Sequence, residues 1–178
     1  EKAGHLIVLI RFVITGYPRS GHGWLANYLY KAGTVVAHEG ALSFLYEDRT
    51  IRQAHVAALR SLDGDCSSSW LLYPDLLRMV PRVVVIERPL NEVVPSYRRA
   101  VGNVPFAERR MFNALSQGFK DAMLLHPLVL PYESPYSLST IERICNYIGE
   151  DFDLVRFALL RHTRVLQDTG SALESMEK

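Results

Sequence analysis

Two spacings of apolar residues alternate along the chain. Residues 6–15 (LIVLIRFVIT) are apolar and rich in β-branched side chains, with no helical period, which predicts a buried strand. Trp24, Leu25, Tyr28, Leu29 and Ala32 then recur at helical spacing and mark one face of a helix. Residues 35–37 predict a short second strand, and residues 48–60 a polar helix with Ile51, His55, Ala58 and Leu59 inward. Asp63-Gly64-Asp65 reads as a turn and residues 69–72 as another short strand. RVVVIE at 82–87 predicts a strand, followed after Arg88-Pro89 by a helix carrying Val93, Val94, Tyr97 and Val101. Phe112, Leu115, Phe119 and Met123 stripe a longer helix that His126-Pro127 ends. Residues 128–133 (LVLPYE) predict the last strand. Ser139 with Glu142 three positions on reads as a capping box for a helix with Ile141, Ile144, Cys145 and Ile148 inward. A final helix is expected over 152–166, and the polar tail from Gln167 is expected to fray.

Strands alternating with helices imply an α/β fold, a three-layer α/β/α arrangement around a mainly parallel central sheet. Ligands of such sheets collect at the carboxyl ends of the strands. The 178 residues, 48% of them hydrophobic, suit one domain over 1–178 with a substantial core. A net charge of +1 gives no global field for nucleic acid, so any anion has to be recognised locally. Cys66 and Cys145 form neither a disulfide framework nor a metal site by spacing and read as reduced thiols. The apolar run at the start is broken by Arg11 and too short to span a bilayer. It also lacks the basic start and small-residue cleavage site of a signal peptide, so a cytoplasmic protein with no transmembrane segment is expected. Nothing in the sequence sets an oligomeric state.

The strongest local signal is GYPRSGHG at 16–23, between the first strand and the first helix. A loop entering a helix N-terminus aims successive N–H groups at one point, and the helix dipole adds positive potential there. Arg19 adds a permanent planar cation, and Ser20 a hydroxyl donor. Gly16 and Gly21 have the spacing of the phosphate-binding GxxxxGK[ST] loop. His22 stands at the lysine position, however, and Gly23 at the position of the Mg²⁺-binding hydroxyl. The loop therefore suits an anionic nucleotide end with no metal required.

With aromatic-Leu following it (Trp24, Leu25), the loop resembles the 5′-phosphosulfate loop of sulfotransferases that use 3′-phosphoadenosine 5′-phosphosulfate (PAPS), whose common form is G-x-P-[KR]-S-G-T-T-W-L. The second motif of that family is a strand, then Arg, then Ser eight residues later, and VVVIERPLNEVVPSYRR carries Arg88 and Ser96 at that spacing. LVLPYE at 128–133, with its following helix ending in Tyr147-Ile148-Gly149, resembles a third family segment. Ala37-His38-Glu39, Asp63-Gly64 and Ser68-Ser69-Trp70 are similar to the GHE and DG…SSW segments of short bacterial-type members. The resemblance spans residues 12–150 and implies a P-loop-NTPase-like sulfotransferase fold, PAPS as donor and adenosine 3′,5′-bisphosphate as product.

By the resemblance, Tyr17, Pro18, Arg19, Ser20, Gly21, His22, Gly23 and Trp24 hold the phosphosulfate, largely through the backbone, and Arg88 with Ser96 grips the 3′-phosphate. Arg19 stands where most members have lysine and is expected to stabilise the bridging oxygen as charge develops on it. His22-Gly23 replaces Thr-Thr, keeping two amides and losing two hydroxyls. The base that takes the acceptor's proton is Glu39 or His38, with His22 a third possibility. Neighbouring strand residues point apart, so only one of Glu39 and His38 is expected to face the acceptor. Asp63, Ser68, Ser69 and Trp70 are expected near that acceptor, a small molecule or carbohydrate offering a hydroxyl or amine. Arg98 and Arg99 read as solvated helix residues or nucleotide contacts, and Arg161 and Arg164 as partial substitutes for the basic C-terminal segment of larger relatives. His5, His55, His126 and His162 make no metal triad by spacing. Two other readings of the same residues are a P-loop kinase-like enzyme and a non-catalytic nucleotide-binding module.

Overall fold

The computed structural model describes residues 10–31, 33–40, 61–102 and 105–161. The first four residues of the opening strand, the helix expected at 48–60, residues 162–166 of the last helix, Arg164 and the tail lie outside the described residues. The elements are β1 (Phe12–Gly16), α1 (His22–Leu29), β2 (Val36–His38), β3 (Gly64–Cys66), a 3₁₀ turn (Ser68–Leu72), α2 (Pro74–Leu77), β4 (Arg82–Glu87), α3 (Leu90–Val101), α4 (Pro105–Met123), β5 (Leu128–Pro131), α5 (Leu138–Ile148) and α6 (Leu154–Leu160).

The five strands form one all-parallel sheet in the order β2-β3-β1-β4-β5. Its central strands are apolar on both sides because both faces are covered. Phe12, Ile14, Val84 and Ile86 point to one face, where Leu25, Tyr28 and Leu29 of α1, Ile141, Ile144 and Ile148 of α5 and Phe157 of α6 pack on them. Val13, Val83 and Val85 point to the other, against Trp70 and Leu71 of the 3₁₀ turn, Leu77 of α2, Val93 of α3 and Phe112 and Leu115 of α4. Each fully buried side chain of this size contributes about 1.5–3 kcal/mol over exposure. No helix among the described residues is long and apolar enough to cross a membrane.

Three local expectations are corrected. Gly64 and Asp65 are not a turn but the first two residues of β3, held between β1 and β2. The Phe12 ring lies where a Cβ on Gly64 would be, 2.2 Å from the nearest ring atom, so the glycine admits a core side chain. Residues 69–72 are not a strand: the Ser67 hydroxyl accepts from the Ser69 N–H at 3.0 Å and caps a 3₁₀ turn. The cap of α5 is Ser137, accepting from the Thr140 N–H at 3.2 Å, while Glu133 accepts from the Ser137 N–H at 2.7 Å. Ser139 and Glu142 thus lie inside the helix.

Candidate functional site

β1 leaves the sheet toward β2 and β4 leaves it toward β5. Their carboxyl ends are adjacent, so a crevice opens between the two departing loops, the place where a parallel sheet binds ligands.

The loop after β1 is braced from three sides. Tyr17 turns its ring inward, stacked on Phe119 with centroids 5.1 Å apart. Arg19 takes a left-handed conformation (φ 67), and so does Gly21 (φ 77), which ends the loop as the N-cap of α1. A Cβ on Gly21 would sit 2.8 Å from the Tyr136 hydroxyl oxygen. That hydroxyl donates to the Ser20 carbonyl at 2.7 Å. Gly21 has no side chain with which to cap, and the N–H groups of His22, Gly23 and Trp24 have no acceptor within the helix. The Trp24 ring is committed to packing: its indole N–H donates to the Leu160 carbonyl at 3.0 Å and its face stacks on Tyr28. Of Tyr17 and Trp24, only the backbone serves the loop. Pro18 lies between them, half-buried.

Arg88 reaches this loop from the end of β4. Its Nη1 donates to the Arg19 carbonyl, and its guanidinium lies 4.2 Å over the Tyr132 ring. Its Nε is 3.6 Å from a Glu92 carboxylate oxygen and makes no hydrogen bond. The two sequence motifs are therefore in contact through Arg88. Ser96 stands in the second turn of α3, half-buried. Arg98 is bound to both carboxylate oxygens of Glu108 at 2.8–3.2 Å, so its head group has a structural partner. Arg161 ends α6, with its guanidinium 6.0 Å from the Phe157 ring centroid.

A second cluster forms where β1, β2 and β3 end. His22 is 3% exposed. Its ring donates to the Thr15 carbonyl, and burial, reinforced by the neighbouring His38, pushes its pKa down to about 4 despite that bond. At neutral pH it is an uncharged imidazole whose Nε2 has no hydrogen-bonding partner. Burial also lowers His38, against the pull of Asp65. Burial raises the Glu39 carboxyl, offset in part by hydrogen bonds from Ser67, Ser68 and Ser69. Glu39 is left-handed (φ 60), which breaks the alternation of the strand before it. Its Oε1 consequently lies 3.7 Å from His38 Nε2, so the two candidate bases share one site rather than pointing apart. Left-handed conformations cost an L-residue about 1–2 kcal/mol, and the chain adopts one at both Arg19 and Glu39.

Two candidates lie elsewhere. Asp63 precedes β3 and so stands at the amino end of the sheet, remote from the crevice. There it accepts from Arg11 at 3.0 Å and from the Val35 N–H at 2.8 Å. Trp70 is fully buried and donates its indole N–H to Asp65 at 2.7 Å, so its ring offers no stacking face to an acceptor. Ser68 and Ser69 are buried at the carboxyl end, beside Glu39. Sequence reasoning missed Tyr136, Asp65 and Ser67. Ser67 lay one position before the serines the motif singled out, while Tyr136 carries no sequence signal because its role is a contact 116 residues away.

No family model matches the chain, and it matches no curated protein. Among the described residues no three His, Cys, Asp or Glu side chains are grouped to hold a metal ion.

Proposed function

We propose that this chain is a sulfotransferase of P-loop-like fold, moving a sulfuryl group from PAPS to a hydroxyl or amine acceptor. The observation that carries the reading is the reach of Arg88 to the Arg19 carbonyl, which joins the two motifs of the resemblance at one crevice.

The residues present fit an anionic nucleotide end. Ser20 Oγ and Arg88 Nε are buried polar atoms without hydrogen-bonding partners, one in the loop after β1 and one at the end of β4, and the N-terminus of α1 is uncapped. Arg19 supplies a permanent cation at the loop. In this reading the loop amides and Arg19 hold the phosphosulfate, and Arg88 and Ser96 hold the 3′-phosphate. PAPS supplies the activated sulfuryl group; the protein supplies position, charge and a proton acceptor. Arg19 cannot donate a proton and acts electrostatically on the leaving phosphate. Glu39, raised by burial toward the working range of a general base, takes the acceptor's proton.

A kinase-like reading is disfavoured by His22. A P-loop lysine brings a positive charge to the phosphates, whereas this ring is buried, neutral and bound to Thr15.

Calorimetric titration with adenosine 3′,5′-bisphosphate in EDTA, with ADP as control, tests the proposal. Metal-independent binding that prefers the 3′-phosphate is expected. Absence of binding, or equal affinity for ADP, would overturn the reading.

A further inference from the structure

The two oxygens of the Glu39 carboxylate keep different company. Oε2 accepts from the Ser67 hydroxyl at 2.7 Å. That hydroxyl has one proton to give, and its oxygen is already turned by the Ser69 N–H, which donates to it at 3.0 Å. Ser67 itself cannot move freely. It is fully buried, its N–H donates to the Ile14 carbonyl at 3.0 Å and its carbonyl accepts from the Thr15 hydroxyl at 2.8 Å. The Glu39 backbone is pinned as well, its N–H donating to the Cys66 carbonyl at 3.1 Å. Oε1 faces His38 Nε2 at 3.7 Å, too long for a hydrogen bond, and the Ser68 N–H and Ser69 hydroxyl also donate to the carboxyl.

Resting on the sulfuryl-transfer reading above, we infer that Ser67 is a positioning residue: it engages Oε2, so that Oε1 is the oxygen that takes the acceptor's proton. Oε1 receives the proton of the acceptor hydroxyl as that oxygen bonds to sulfur. The bond from sulfur to the bridging oxygen breaks, and its electron pair leaves on the nucleotide phosphate. Glu39 is left protonated and returns the proton to solvent. The groups facing Glu39 are His38 on β2, the Cys66 thiol on β3 and the serines of the 3₁₀ turn. Asp65 in turn acts on His38, and His38 on His22. Of these, the Ser67 hydroxyl does most to lower the carboxyl against burial.

The test compares wild type with Ser67→Ala and with Ser67→Cys, a similar-sized side chain and weaker donor that serves if the alanine variant does not fold. Glu39 is titrated by carbon-13 NMR of labelled glutamate, with Glu39→Gln assigning the signal. Release of adenosine 3′,5′-bisphosphate from PAPS, with water as acceptor, is followed against pH. The variants are expected to titrate Glu39 at higher pH, move the acid limb of the rate profile the same way, and lower kcat roughly tenfold at unchanged KM for PAPS. An unchanged Glu39 titration in the variant that folds overturns the positioning role. Wild type that binds no adenosine 3′,5′-bisphosphate instead overturns the transfer reading, and with it the proton step, whatever Glu39 shows.

Discussion

Arg88 donates through Nη1 to the carbonyl of Arg19, a residue 69 positions earlier in the chain. The bond fixes the loop after β1 to the end of β4, and Tyr132 beneath the guanidinium fixes its plane. One arginine thus links the loop that would hold the transferred group to the segment that would read the 3′-phosphate. Replacing it by alanine removes the brace and a charge-assisted contact together. Affinity for adenosine 3′,5′-bisphosphate is expected to fall roughly ten- to a hundredfold in Arg88→Ala, with affinity for ADP less affected. Calorimetry with both nucleotides measures the difference, and equal losses for the two would remove Arg88 from 3′-phosphate recognition.

Glu39→Gln separates binding from chemistry. The amide keeps the size of the side chain and an oxygen for Ser67, but cannot accept a proton. Product-nucleotide affinity is expected to hold while transfer falls by roughly 10²–10⁴-fold. Retained turnover in this variant would hand the base role to His38.

Tyr136→Phe tests the support of the loop. The lost hydroxyl leaves the Ser20 carbonyl without its 2.7 Å donor in a buried place. A loss of about 1–3 kcal/mol is expected in urea unfolding. Weaker nucleotide binding should accompany it, because Ser20 and Gly21 precede the helix N-terminus. A variant as stable as wild type would show that the contact does not carry the loop.

The buried imidazole of His22 makes stability depend on pH. Its folded pKa, about 4, lies below the unfolded value of 6.5, so the unfolded chain binds more protons between them. The stability it contributes is complete above about pH 6.5 and is lost as pH falls toward 4, by about 2–3 kcal/mol across the window. His38 acts in the same sense. Glu39, raised on folding, acts in the opposite one: its contribution is present at low pH and lost as pH rises through its folded value. His22→Asn keeps a donor for the Thr15 carbonyl and does not titrate. Urea midpoints between pH 4.5 and 7 should therefore vary less in the variant than in wild type. Identical pH dependence would mean that His22 is not held neutral in the folded protein.

The sequence alone determined that sheet-forming segments lie within the long apolar runs at 6–15 and 82–87, because their centres are covered on both faces and read as β-branched runs, although the first strand runs from Phe12 to Gly16. It also determined the place of the loop at 16–23, since a strand, a glycine-rich turn and a helix start are local features. It could not determine β3. Three residues with a glycine and an aspartate resemble a turn until β1 and β2 hydrogen-bond them from both sides. Nor could it tell which side chains serve the loop and which serve the core. Tyr17, Trp24 and Trp70 stand in motif positions, yet their rings are consumed by Phe119, Tyr28 and Asp65. The pairing of His38 with Glu39 needed the left-handed turn at Glu39, and the bracing by Tyr136 and Ser67 needed elements remote in sequence to meet. Periodicity records which face of an element is covered, but hydrogen bonds between distant segments exist only once the sheet has brought their ends together.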